Sequence, residues 1–309
     1  MKKKSFISVG ECMVELQSAA NGLYRLGFAG DTLNTAWYVR ALIKGETTDV
    51  NYLTAIGIDQ LSLDMKSFLN SNGIGTQQVQ QISDRTLGLY LITLAGAERS
   101  FTYWRDHSAA KLLADDETVL RSALANADTI YFSGITLAIL SPESRAVFLS
   151  VLNDMKVAGA TVAFDSNSRR RLWRSDSEMK ASTIEGYKVS TLALPTFEDE
   201  QAVFGDSQPI DCLKRIAGYG LSEIVVKDGA KPALVMADGT VIAVPPEPVE
   251  GVVDTTGAGD SFNGGYIAAR MANQTPSNAA KFAHKVAGRV ICTKGALLDM
   301  AQFKDLVSE

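Results

Sequence analysis

Apolar and polar positions alternate with different periods along the chain, and the changes of period outline its elements. Residues 5–9 form a short unbroken apolar run that reads as a buried strand. Residues 11–16 and 24–28 read as two short strands around the turn signal Asn21-Gly22. A helix is predicted over 32–43, a strand over 50–55 and an amphipathic helix over 61–69. In that second helix Leu61, Met65, Phe68 and Leu69 fall three or four positions apart. Residues 87–94 and 100–105 then read as two strands around the turn AGAER. With the early hairpin they predict a small antiparallel sheet inserted into a larger fold. From about residue 115 strands and helices alternate, with strands at 129–132, 161–164, 190–194 and 223–226 and a helix at 142–155. That alternation predicts a parallel sheet covered by helices on both faces. A hairpin at 233–244 turns at Asp238-Gly239, and helices at 259–271 and 277–290 follow. No internal repeat or low-complexity linker interrupts the pattern.

Composition narrows the class. The 309 residues are 46% hydrophobic and 21% charged, as in a soluble globular protein. The net charge is −5 and no basic stripe stands out, which argues against nucleic acid as a partner. No apolar stretch approaches the ~18 residues of a membrane helix, and the run after the basic tip MKKK is too short for a signal-peptide core. Cys12, Cys212 and Cys292 show no paired spacing and read as buried reduced thiols. A cytoplasmic enzyme is the expectation. His107 and His284 are too few and too far apart for a histidine metal site.

The strongest chemical signal is DTTGAGD at 254–260, followed by SFNGG. Gly257 and Gly259 flank Ala258 where a helix should begin, so bare backbone N–H groups can approach an anion. Asp260 falls in the first helical turn beside them. A carboxylate next to an anion hole can take a hydroxyl proton while the N–H groups hold a phosphoryl group as charge builds. GAGD alone would equally fit a glycine-rich helix entry whose Asp complements the dipole. No GxxxxGK[ST] or GxGxxG loop occurs in the chain.

DTTGAGDSFNGGYIAA resembles the C-terminal signature of the ribokinase-like (PfkB) sugar kinases. AGDTLN resembles their N-terminal glycine-rich signature, TAIGIDQLS the segment after it, and VVKDGAKPALV the strand-turn-strand bordering the nucleotide. GDTLN, GLYLI, FTYWR, SGITLAILSP and FDSNSRRRLW are similar to the 2-keto-3-deoxygluconate kinase subgroup in particular. The resemblance covers essentially the whole chain. It implies one ribokinase-like kinase domain over 1–309, with a β lid from about 11–30 and 86–106. It implies transfer from ATP, with Mg2+, to the 6-hydroxyl of a 2-keto-3-deoxy sugar acid, with Asp260 as base. A kinase for another sugar or sugar acid stays open, and so, more remotely, does a non-catalytic sugar sensor.

The resemblance also implies residue roles. Gly257, Ala258 and Gly259 would form the anion hole. Gly30, Asp31, Asn34, Tyr90, Tyr103, Arg105, Ile135 and Arg169 would bind substrate, although Asp31 alone would serve as a helix cap. Tyr103 and Arg105 alternate on one strand face. A guanidinium fork suits a carboxylate, whereas a neutral sugar would leave Arg105 without that partner. Tyr90 and Tyr103 would otherwise be a cross-strand aromatic pair. Asn167, Arg169, Lys227, Gly229, Gly257, Gly259 and Ala287 would meet the nucleotide, with His284, Val290, Gly295 and Ala296 near the base. Ser168 departs from an expected tyrosine. Thr196 stands where an asparagine of the magnesium motif would be, and the acidic position falls on Asp199, between Glu198 and Glu200, acting through water. Apolar residues on the far face of the lid, Leu89, Leu91 and Phe101 or their neighbours, imply a homo-oligomer.

Overall fold

A computed structural model describes residues 3–95 and 98–307. Strands β1 (Lys4–Val9), β2 (Met13–Ser18) and β3 (Tyr24–Ala29) lead into helix α1 (Asp31–Leu42). Then come β4 (Thr48–Ile56), α2 (Gln60–Ser71), β5 (Val79–Gln81), β6 (Leu89–Ala95), β7 (Glu98–Trp104) and α3 (Glu117–Leu124). The alternating half follows: β8 (Thr129–Ser133), α4 (Gly134–Ile139), α5 (Pro142–Val157), β9 (Thr161–Asp165), α6 (Asp176–Lys188), β10 (Leu192–Ala193), α7 (Phe197–Phe204), α8 (Pro209–Ala217) and β11 (Glu223–Val226). The hairpin β12 (Ala233–Ala237) and β13 (Thr240–Val244), then α9 (Ala258–Met271) and α10 (Pro276–Val290), complete the series. The turn expected at 95–99 falls partly outside the described residues.

Nine strands form one sheet in the order β13-β12-β11-β10-β9-β8-β1-β4-β5. It is parallel except for β12 and β13, which join antiparallel. Helices cover both faces, so its strands are apolar on both sides, and this is why they read as unbroken runs. Phe6, Tyr52, Tyr131 and Val225 pack toward α1, α9 and α10. Ile7, Val9, Phe132, Phe164 and Val226 pack toward α3, α5 and α8. Asp238 and Gly239 both take positive φ, as a tight hairpin turn requires.

The second sheet has the order β3-β2-β6-β7. Its two hairpins are antiparallel, and they meet through a parallel pairing of β2 with β6. Cys12 and Cys212 are buried, but Cys292, just beyond α10, is exposed, which corrects the expectation that all three are interior. Among the described residues no helix is long and apolar enough to cross a membrane.

Candidate active site

The parallel strands direct their carboxyl ends, Val9, Ser133, Asp165 and Val226, toward one edge of the sheet, where open α/β sheets bind ligands. Helix α9 begins at the same edge. Gly257, its N-cap, has φ 76°, and a Cβ there would lie 2.9 Å from the Ala296 carbonyl oxygen. Conformation and space both require glycine. Ala258 and Gly259 open the helix, whose first N–H groups have no acceptor within it, and of these the Ala258 N–H turns back to the Thr255 carbonyl at 3.1 Å.

Asp260 is the third residue of that first turn. The Asn34 side chain donates from Nδ2 to its Oδ2 at 2.7 Å, joining α1 to α9. Burial pushes the Asp260 carboxyl up to about 7. The nearby Asp31 charge adds to this, while the Asn34 hydrogen bond and Lys227 act in the opposite direction. Burial likewise holds the Asp31 carboxyl above its usual range. Asp31 accepts a 2.7 Å hydrogen bond from Asn167 Nδ2. Asn167 has positive φ, which asparagine tolerates better than most residues. Asp31 and Asn34 thus stand around the carboxylate of Asp260 as well as at the glycine loop. Gly30 precedes them because a Cβ there would meet the Glu11 carbonyl oxygen at 2.3 Å.

Beneath these groups is a buried polar cluster. Lys227 donates to Asp165 Oδ2 at 2.9 Å and to Asn263 Oδ1 at 2.8 Å. Asn263 donates back to Asp165 at 2.6 Å and to the Tyr131 hydroxyl at 3.1 Å. The Lys227 ammonium, expected beside the nucleotide, makes both of these bonds inside the protein. Sequence reasoning passed over Asp165 and Asn263. The available signal was spacing, since Asn263 lies three residues past Asp260 on the same helical face.

In the second sheet, Tyr90 and Tyr103 form the cross-strand pair, with ring centroids 5.8 Å apart. The Tyr90 hydroxyl donates to Glu15, and the Arg171 guanidinium lies 3.9 Å from the Tyr103 ring centre. Arg105 forms an ion pair with Glu11, whose side chain is fully buried. This corrects the argument that a neutral sugar would leave Arg105 unpartnered, because the chain supplies its own carboxylate. Phe101 is also corrected. It pairs with Ile92 and lies 6.2 Å from the Tyr103 ring, so it shares the face of the tyrosines. Trp104 pairs with Leu89 on the other face.

The acidic trio separates by burial. Glu200 is wholly buried, bonded to Tyr187 and Arg215, and Glu198 is exposed. Asp199 is half-buried, accepts from the Ser168 N–H at 3.3 Å and lies 3.9 Å from Arg169. Burial pushes its carboxyl up to about 6, with Arg169 acting the other way. Arg169 is otherwise open to solvent, while Arg170 pairs with exposed Asp176. Ile135 is part-buried on α4. Gly229 has positive φ with open space around it, and Ala287 packs against the core from α10. His284 is tied to the Val244 carbonyl at 3.0 Å, and Val290 is buried.

The helix-flanked parallel sheet, its small second sheet and the glycine-bordered start of α9 define a ribokinase-like fold. The chain belongs to the pfkB family of carbohydrate kinases, whose model matches residues 3–302. It is 40% identical over 306 residues to the 2-dehydro-3-deoxygluconokinase of Dickeya dadantii (strain 3937), covering 97% of this chain and 98% of that one. The protein of the same name from Escherichia coli K12 is 39% identical, over 96% and 98% of the two chains. Among solved structures, the 2-dehydro-3-deoxygluconokinase of Thermotoga maritima superimposes with TM-score 0.84 at 19% identity, over 99% of this chain and 98% of that one. A ribokinase II of E. coli solved with ATP and Mg2+ gives 0.80 at 21% identity, over 96% and 94%.

Proposed function

We propose that the chain phosphorylates 2-keto-3-deoxy-D-gluconate (2-dehydro-3-deoxygluconate) on its 6-hydroxyl, using ATP. The observation that carries this reading is Asp260 placed in the first turn of α9, against Asn34 and beside Gly257 and Gly259. The names of relatives 37–40% identical over nearly the whole chain supply the substrate. The substrate hydroxyl oxygen attacks the γ-phosphorus and gives its proton to Asp260. The bond to the β–γ bridging oxygen breaks, and ADP leaves with that electron pair. The N–H groups of 257–259 face the charge gathering on the transferred group. Asn167 and Arg169 meet the phosphates, and Gly229 and Ala287 border the base.

Magnesium suits the oxygen donors here, and Asp199 is the member of the acidic trio that is neither committed to a cation inside the protein nor fully exposed. It would hold the ion through water, and the ion when bound neutralises phosphate charge.

A second reading, a kinase for a neutral sugar, is favoured by one observation: Glu11 already satisfies Arg105. ADP release with 2-keto-3-deoxy acids, aldonates, pentoses and hexoses decides between the two. Preference for a neutral sugar would overturn the sugar-acid assignment and leave the kinase reading standing.

The chain also works as a homo-oligomer in this reading. Leu16, Leu26, Leu89, Leu91 and Trp104 share the lid face opposite the tyrosines, and Leu26 and Trp104 are 48% and 56% exposed. A second lid is the cover that such a face needs.

A further inference from the structure

We propose that Lys227 is a positioning residue for phosphoryl transfer: from beneath, it fixes the first turn of α9 and the loop after β9, and supplies the positive charge that the anion hole rests on. The inference depends on the phosphoryl-transfer reading above. Lysine is almost never fully buried unless paired, and Lys227 is 6% exposed. Its ammonium joins three elements, holding Asp165 at the end of β9 and Asn263 on α9 from its own place after β11. A Cβ built on Gly259 would lie only 3.7 Å from its Nζ, so the cation sits directly under the anion-hole turn.

The same pair reaches the loop above. Asp165 accepts the Asn167 N–H at 3.1 Å, and Asn167 in turn holds Asp31. A buried ion pair is a weak source of stability, since apolar residues of similar volume often do as well. Its position supplies another use. A charge in a water-poor site acts on a neighbouring anion far more strongly than one in water. The titratable groups facing Asp260 are Asp31 and Tyr38 from α1, Tyr131 from β8, Asp165 from β9 and Lys227 just after β11. Lys227 is the cation of that set, and it favours the ionised base.

The test compares Lys227→Met and Lys227→Arg with the parent enzyme. In Lys227→Met, kcat should fall about tenfold or more, while both KM values stay within about twofold. The acid limb of its kcat/KM–pH profile should move up by about one pH unit. Lys227→Arg should keep the limb in place. An unmoved limb in a folded Lys227→Met variant overturns the proposal, because a purely structural lysine would leave it there. If Lys227→Met does not fold, the charge-neutral Asp165→Asn, Lys227→Met variant replaces it. Parental kcat in that variant overturns the proposal, and a tenfold loss supports it. Asp260→Asn is the control for the underlying reading: if that variant stays active, the base assignment fails, whatever Lys227 does.

Discussion

A carboxylate that must take a proton near neutral pH works best with a pKa close to the working pH, and burial brings Asp260 to about 7. Asp260→Asn keeps the shape and removes the basicity. Turnover should drop about 100-fold or more, with substrate binding largely kept, as steady-state kinetics would show; near-normal turnover would sink the role. The sign of the pH dependence follows from the same group. Only the ionised form accepts a proton, so kcat/KM in the parent should rise with pH and level off above about 7. A profile flat from pH 5 to 9 would contradict it. Asp260 stood out in the sequence as the proposed base because GAGD carries its own local geometry. Asp31, Asn34 and Lys227 were read as ligand-binding residues and Asp165 was passed over; their gathering around Asp260 was not legible, since they reach it from elements far apart in sequence. Burial and pairing, which separate Asp199 from Glu200, leave no trace in a run of three acids.

At the scale of elements, the parallel strands were readable because both their faces are apolar. The strand expected at 190–194 is present but shortened to the two residues of β10, and the short β5 and the parallel joining of β2 to β6 were not readable, since tertiary pairing rather than a local turn creates them. The period-two reading of β7 put Tyr103 and Arg105 on one face, but Phe101 belongs to that face too and Trp104 to the other. The second sheet is anchored where Arg105, just past β7, meets Glu11 between β1 and β2. Arg105→Ala strands a buried carboxylate, which costs about 3–5 kcal/mol. Thermal unfolding should show that loss, and adding Glu11→Gln should recover part of it. If the guanidinium also serves a substrate carboxylate, catalytic efficiency toward the keto acid should fall roughly 10- to 150-fold. Efficiency toward a neutral sugar should fall much less. Equal losses for both would assign Arg105 to the architecture of the lid alone.

For the molecule as a whole, light scattering at micromolar concentration should give a mass above that of one chain, and Leu26→Asp should lower it. A monomeric parent would remove the lid-to-lid assembly. The hydrogen bond between Asn34 and Asp260 spans 226 residues of chain. Around it, the Trp37 indole donates to the Leu298 carbonyl, and Tyr38 packs edge-on against Phe303. Helix α1, which starts at the Gly30 loop, is thus closed by segments more than 200 residues further along the chain. Contacts of such long range are slow to form, because loop-closure entropy is lost before they return any stability. In refolding from denaturant, helical signal should return first and ADP release only with the slowest kinetic phase, so the first turnover marks the end of folding.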